Sequence, residues 1–183
     1  MLDTEKQLSR MTIVLHWLVG ISIILLLAVG TYMVNTETWS LYPWHKSIGI
    51  LVAVLAIFRI LWRVKNGWLT PVATYTDLEV NLAKFIHWIL IIATILMPLS
   101  GFLMSALGGN GVAFFGIELV ARTPDVMDPT KVLAHNAFLA STFHFLHHWV
   151  GYILIGAIAL HIAGALKHHI IDKDSTLKRM LGK

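Results

Sequence analysis

Charged residues cluster along this chain, and the clusters are separated by four long runs that hold few or none. Residues 11–34 carry no charge, and these 24 positions are enough to cross a hydrocarbon core of about 30 Å as a helix. Residues 44–62 form a shorter apolar run. It opens with His45-Lys46 and is broken near its end by Arg59, a cation that has to snorkel to the interface or find an anion. Residues 85–107 form the third run, with His87 near its start and Pro98 and Gly101 near its middle. A proline at such a depth frees a backbone carbonyl that neighbouring helices have to accommodate. Residues 143–166 form the fourth. Between the runs lie a short polar turn (35–40), a polar loop (63–84) with Asn66-Gly67 and Pro71, and a longer connection (108–141). That connection contains a Gly-Gly-Asn-Gly turn and an amphipathic piece at 130–140. The pattern predicts an all-α fold: an integral membrane four-helix bundle forming one domain over residues 1–183, with spans near 11–34, 44–62, 85–107 and 143–166.

Composition agrees with a membrane protein. Hydrophobic residues make up 57% of the chain and charged residues only 13%, roughly half the charged share of a soluble domain; mean hydropathy is +0.73. The N-terminal segment lacks a small-residue cleavage site after a short apolar run, so the first run reads as a retained span and not a signal peptide. The net charge of +4 would suit nucleic acid, but its placement says otherwise. Eleven of the 14 Lys and Arg residues fall in the N-terminus, the second connection counted from Arg59 and the tail, and the other three are Lys46, Arg122 and Lys131. By the positive-inside bias both termini are cytoplasmic, and the excess charge is topological.

There is no cysteine, which removes disulfides, thiolate-bound zinc, iron–sulfur clusters and thioether-attached haem from consideration. The ten histidines are then the abundant transition-metal ligands. His147 and His161 stand fourteen residues apart in the fourth span, so on a helix they occupy one face about 21 Å apart. Histidines within membrane spans are costly and read as functional. With the topology above, His16 of the first span is level with His161 on the cytoplasmic side. His45 of the second span is roughly level with His147 on the outer side. Two cross-helix histidine pairs stacked through a bundle suit two b-type haems, each iron held between two imidazoles from opposite faces.

His144 and His148 rival His147 for the outer position, but neither has a histidine fourteen residues further on. Arg59 lies fourteen residues after His45, which places it at the inner level, where either a haem propionate or a lipid phosphate answers its charge. His87 reads as a contact to a haem edge or quinone, or as a satisfied interfacial histidine. Gly20, Gly30, Gly49, Gly101, Gly151, Gly156 and Gly164 recur in the spans. They permit close approach of a flat ring, or of helix to helix with no cofactor involved.

The stretches LHW (15–17), HKSIG (45–49), RILWR (59–63), IHW (86–88), SGFLMS (100–105) and LHIAGALKHHIIDKDSTLKRMLG (160–182) resemble the prokaryotic cytochrome b561 family, four-helix di-haem membrane cytochromes of the bacterial inner membrane. The resemblance covers nearly the whole chain. It implies two haem b groups, an inner one on His16 with His161 and an outer one on His45 with His147, exchanging electrons with ubiquinone or menaquinone. Superoxide-oxidising members are thought to attract their anionic substrate to a basic outer face. Here the outer segments carry Lys46, Arg122 and Lys131 against Glu37, Glu118, Asp125 and Asp128, which weakens such steering and leaves Lys46 as a local positive site.

Three functions follow. One is an oxidoreductase moving electrons from superoxide or another one-electron donor at the outer face to quinone. A second is an electron conduit from quinol to a periplasmic redox protein. A third, remote, is a histidine-rich metal transporter, which would call for carboxylates within the spans, where there are none. Lys46, Trp44, His87 and Trp88 are candidate contacts for substrate or quinone. Membrane lipid is the surrounding partner; nucleic acid is not expected.

Overall fold

The computed structural model describes residues 3–4, 7–69 and 71–183. Four long helices, α1 (Arg10–Thr36), α2 (Tyr42–Asn66), α3 (Asp77–Leu107) and α4 (Ala137–Ile170), are each long and apolar enough to cross a membrane. A short α5 (Thr176–Met180) follows, and a two-stranded antiparallel hairpin, β1 (Val112–Phe114) with β2 (Ile117–Val120), lies between α3 and α4. The helices outrun the apolar segments because side-chain caps, and not hydropathy, set their ends. Thr76 and Glu79 form a reciprocal capping box that starts α3 well before residue 85. Asn136 accepts from the Leu139 N–H and starts α4 before residue 143. Ser9 does the same for α1 through the Thr12 N–H.

The helices pack as two pairs, α1 with α2 and α3 with α4, and α2 joins the pairs by packing on α3. One apolar cluster holds the centre: Val19 and Ile23 from α1, Val52 and Ala56 from α2, Ala93 from α3, and Val150 and Leu154 from α4. Large apolar residues such as Leu25, Phe58, Phe85 and Tyr152 face outward. In water such a surface would be a liability, but against lipid tails it costs nothing.

The connection between α3 and α4 differs from expectation. Of residues 130–140, the first part runs irregularly, with a β-bridge from Pro124 to Val132, and the part from Ala137 onward is the first turn of α4. Ahead of them the hairpin turns at Phe115-Gly116, both with positive φ (47° and 90°), as the tightest two-residue hairpin loop requires. Phe115 is an uncommon residue there. Its backbone N–H donates to Ser47 Oγ at 3.0 Å, and Lys46 Nζ donates to the Gly111 carbonyl at 3.0 Å. The hairpin is thereby tied down over the start of α2.

At the opposite end the two termini meet. Asp3 accepts from the Ser9 N–H, from Thr12 Oγ1 and from Arg63 Nη2, and Trp17 Nε1 donates to the Met180 carbonyl at 2.7 Å. Tyr75 Oη donates to Asp174 at 2.6 Å, and Lys167 pairs with Glu79. Both termini therefore share the end of the bundle that is rich in Lys and Arg.

Candidate functional site: two stacked histidine clusters

The central apolar cluster separates two polar layers. On α1 it follows His16; on α4 it lies between His147 and His161; on α2 it lies between His45 and Arg59. Toward the terminal end, the His16 and His161 rings stand with centroids 6.0 Å apart. These two rings, from α1 and α4, would be the residues to hold an iron between them, imidazole being a ligand that haem iron takes. Arg59 Nη2 lies 3.2 Å from His16 Nδ1, so the guanidinium reaches the level expected for it. His87 joins the same cluster, its ring 5.3 Å from that of His161.

Toward the hairpin end, His45 and His147 line one apolar cavity of about 40 Å³ with Leu27, Gly49, Met97 and Pro98. Each ring sits on a glycine of a facing helix. A Cβ on Gly30 would meet His45 Cε1 at 3.3 Å, and one on Gly101 would meet His147 Cε1 at 2.9 Å. His147 Nδ1 donates to the Met97 carbonyl at 2.9 Å, with Ser100 Oγ at 3.2 Å. A carbonyl only accepts, so Nδ1 carries the proton and Nε2 is left bare. That is the tautomer a metal-binding histidine takes, with its second nitrogen held by a backbone acceptor. His45 Nδ1 is buried without a hydrogen-bond partner among the described residues.

The rival histidines do not reach this cavity. His148 is exposed and packs edge-on against Trp149 and Tyr152, with centroids 5.7 and 5.0 Å away; His144 is also exposed. Lys46 is half-buried, and its Nζ is tied to the Gly111 carbonyl of the hairpin. Trp44 is exposed and meets Phe115 edge-on, while Trp88 pairs with Trp68 at the terminal end. Hydropathy and spacing did not single out Ser100 or the Met97 carbonyl. The available signal was a serine beside Pro98 and Gly101 in an otherwise apolar run. Of the glycines, Gly20, Gly49, Gly156 and Gly164 have open space where a Cβ would stand.

A bundle of four apolar helices carrying two histidine clusters at two depths defines a multi-pass membrane protein of the cytochrome b class. The model of the family described as prokaryotic cytochrome b561 matches residues 7–183. The chain is 33% identical to "Cytochrome b561 homolog 2" of Escherichia coli (strain K12), over 99% of this chain and 94% of that protein. It is 29% identical to "Probable superoxide oxidase CybB" of Yersinia pestis, over 98% of each. It is 28% identical to "Cytochrome b561 homolog 1" of Escherichia coli (strain K12), over 96% of this chain and 97% of that protein. The chain belongs to the prokaryotic cytochrome b561 family, whose members bind haem b and transfer electrons.

The residues present fit haem b. The donor set is neutral imidazole presented from facing helices, with no competing thiolate anywhere in the chain. The outer cavity is apolar, and His147, its ring seated on Gly101, offers a bare Nε2.

Proposed function

We propose that the protein is a transmembrane di-haem b cytochrome of the bacterial inner membrane, both termini cytoplasmic, that carries electrons from a one-electron donor at the outer face to membrane quinone. The observation that carries this reading is the pair of histidine layers, each drawn from more than one helix and separated by a packed apolar centre. His16 and His161 hold the inner haem, and His45 and His147 the outer. The exposed, cavity-remote positions of His144 and His148 support His147 as the outer ligand. When bound, the haems supply the one-electron relay between the two faces.

The chain's own residues do the positioning. Met97 holds the proton on His147 Nδ1, which fixes the ring and leaves Nε2 as the ligand atom. On the inner side Arg59 donates to His16 Nδ1. For His16 to ligate through Nε2, that Nδ1 must itself bear the proton, so the guanidinium turns to another acceptor. A propionate carboxylate at this depth answers its charge, and a buried cation needs such an anion. Leu154, which is fully buried, and its neighbours keep water out of the path between the layers. His87, beside His161, is the candidate inner contact for quinone.

Superoxide is the favoured donor because a relative of similar length carries the name of a probable superoxide oxidase. One observation favours a second reading, passage of electrons from quinol to a periplasmic protein: Lys46 is engaged by the hairpin, and the outer segments carry a net negative charge. A reduced-minus-oxidised spectrum of the purified protein should show two haems per chain, and a haem-free protein would end both readings. Rapid mixing with superoxide in the presence of a quinone analogue then divides them. Haem reduction no faster than spontaneous dismutation eliminates superoxide as donor.

A further inference from the structure

The two imidazoles of the outer pair are held very differently. His147 Nδ1–H faces two oxygens of α3, the Met97 carbonyl at 2.9 Å and Ser100 Oγ at 3.2 Å. Ser100 is 1% exposed, and its hydroxyl donates its own proton to the Leu96 carbonyl at 2.7 Å. A hydroxyl has one proton, so once this is given to Leu96 the oxygen presents only lone pairs to His147. Two acceptors therefore converge on one N–H, and the ring lies so close to Gly101 that a Cβ there would meet its Cε1 at 2.9 Å. His45 Nδ1, across the cavity, is buried and meets no acceptor among the described residues.

Acceptors on the outer nitrogen of a ligating imidazole push electron density toward its metal-binding nitrogen and raise its basicity. We infer that Ser100, together with the Met97 carbonyl, is a positioning group for His147 that lowers the potential of the outer haem by strengthening that one axial ligand. The inference rests on the outer-haem reading above. A more basic ligand favours the ferric over the ferrous state, so an electron arriving at the outer face is passed inward more readily than it is kept. The sequence pattern Pro98-Leu99-Ser100-Gly101 then has a joint purpose: the glycine admits the ring, and the serine adds the second acceptor.

The test is a spectroelectrochemical titration of the purified holoprotein, with the outer haem identified as the one lost in His147→Ala. In Ser100→Ala the outer midpoint should move to a more positive potential. At a fixed ambient potential the ratio of reduced to oxidised outer haem should rise about fivefold, the effect of one ordinary hydrogen bond. The inner midpoint should stay put. Ser100→Thr keeps the hydroxyl and should restore the wild-type value. Both midpoints unchanged in Ser100→Ala, with both haems present, overturns the inference while leaving the di-haem reading intact. Should Ser100→Ala lose the outer haem, Ser100→Thr decides: a wild-type midpoint supports the role of the hydroxyl, and the shifted midpoint overturns it. Retention of both haems in His147→Ala would instead refute the outer-ligand assignment, and this inference with it.

Discussion

Gly101→Ala offers the sharpest test of how the outer site is built. The added methyl carbon would lie 2.9 Å from His147 Cε1 and 3.1 Å from Nδ1, well inside ordinary contact, so the ring has to move. The ring is not free to do so, because Nδ1 is bonded to the Met97 carbonyl on the same turn of α3. Relief therefore sacrifices that hydrogen bond, about 1 kcal/mol, and strains the packing by roughly 1–3 kcal/mol. The combined cost of about 2–4 kcal/mol corresponds to a roughly 30- to 700-fold loss in affinity of the site for its cofactor. The assay is the haem-to-protein ratio of purified protein, with absorbance bands distinguishing the two haems: Gly101→Ala should lose most of the outer haem and keep the inner. Gly156→Ala is the control, since a Cβ there meets nothing within 4 Å among the described residues, and it should keep both. A Gly101→Ala protein with two haems at unchanged potentials would refute the reasoning, because the ring could then not be seated where it is described.

Single alanine substitutions at His16 and His161 should each strip the inner haem and those at His45 and His147 the outer, whereas His144→Ala and His148→Ala should retain two haems per chain by the same spectral count. The Asp3 clasp makes stability sensitive to acid. Burial pushes its carboxyl up, but hydrogen bonds from Ser9 and Thr12 and the Arg63 charge outweigh that and hold it below the ordinary 3.8. Its contribution is thus present above that value and is lost as pH falls through the lowered one. Thermal unfolding in detergent should show a steep acid loss in wild type; Asp3→Asn should be less stable at neutral pH by about 1–2 kcal/mol and flatter in acid. Tyr75 has the opposite sense: burial and donation to Asp174 raise its phenol above 10, so its contribution is present below 10 and is lost as pH rises through the raised value. Tyr75→Phe should remove that alkaline loss, which the same unfolding series at high pH measures.

The bundle and its site were legible in the sequence to different depths. Charge-free runs of membrane length and the bias of Lys and Arg gave four spans and a shared end for both termini, because lipid penalises unpaired charge wherever it falls in a run. The fourteen-residue interval between His147 and His161 follows from helix geometry alone, and so does the depth of Arg59, which meets His16. Helix ends were less legible, since caps such as Thr76 with Glu79 lie outside the apolar pattern. The outer connection was least legible: a hairpin whose turn places Phe115 at positive φ depends on Ser47, 68 residues earlier in the chain. Only the tertiary structure set His147 beside His45 on one cavity with His144 and His148 exposed, joined Lys46 to the Gly111 carbonyl, and brought Met97, Ser100 and Gly101 to the His147 ring. The reason is physical. Span length and residue spacing along a rod are one-dimensional quantities that a sequence records, whereas the rotation of one helix against its neighbours, which decides what each imidazole touches, is fixed by packing among all four.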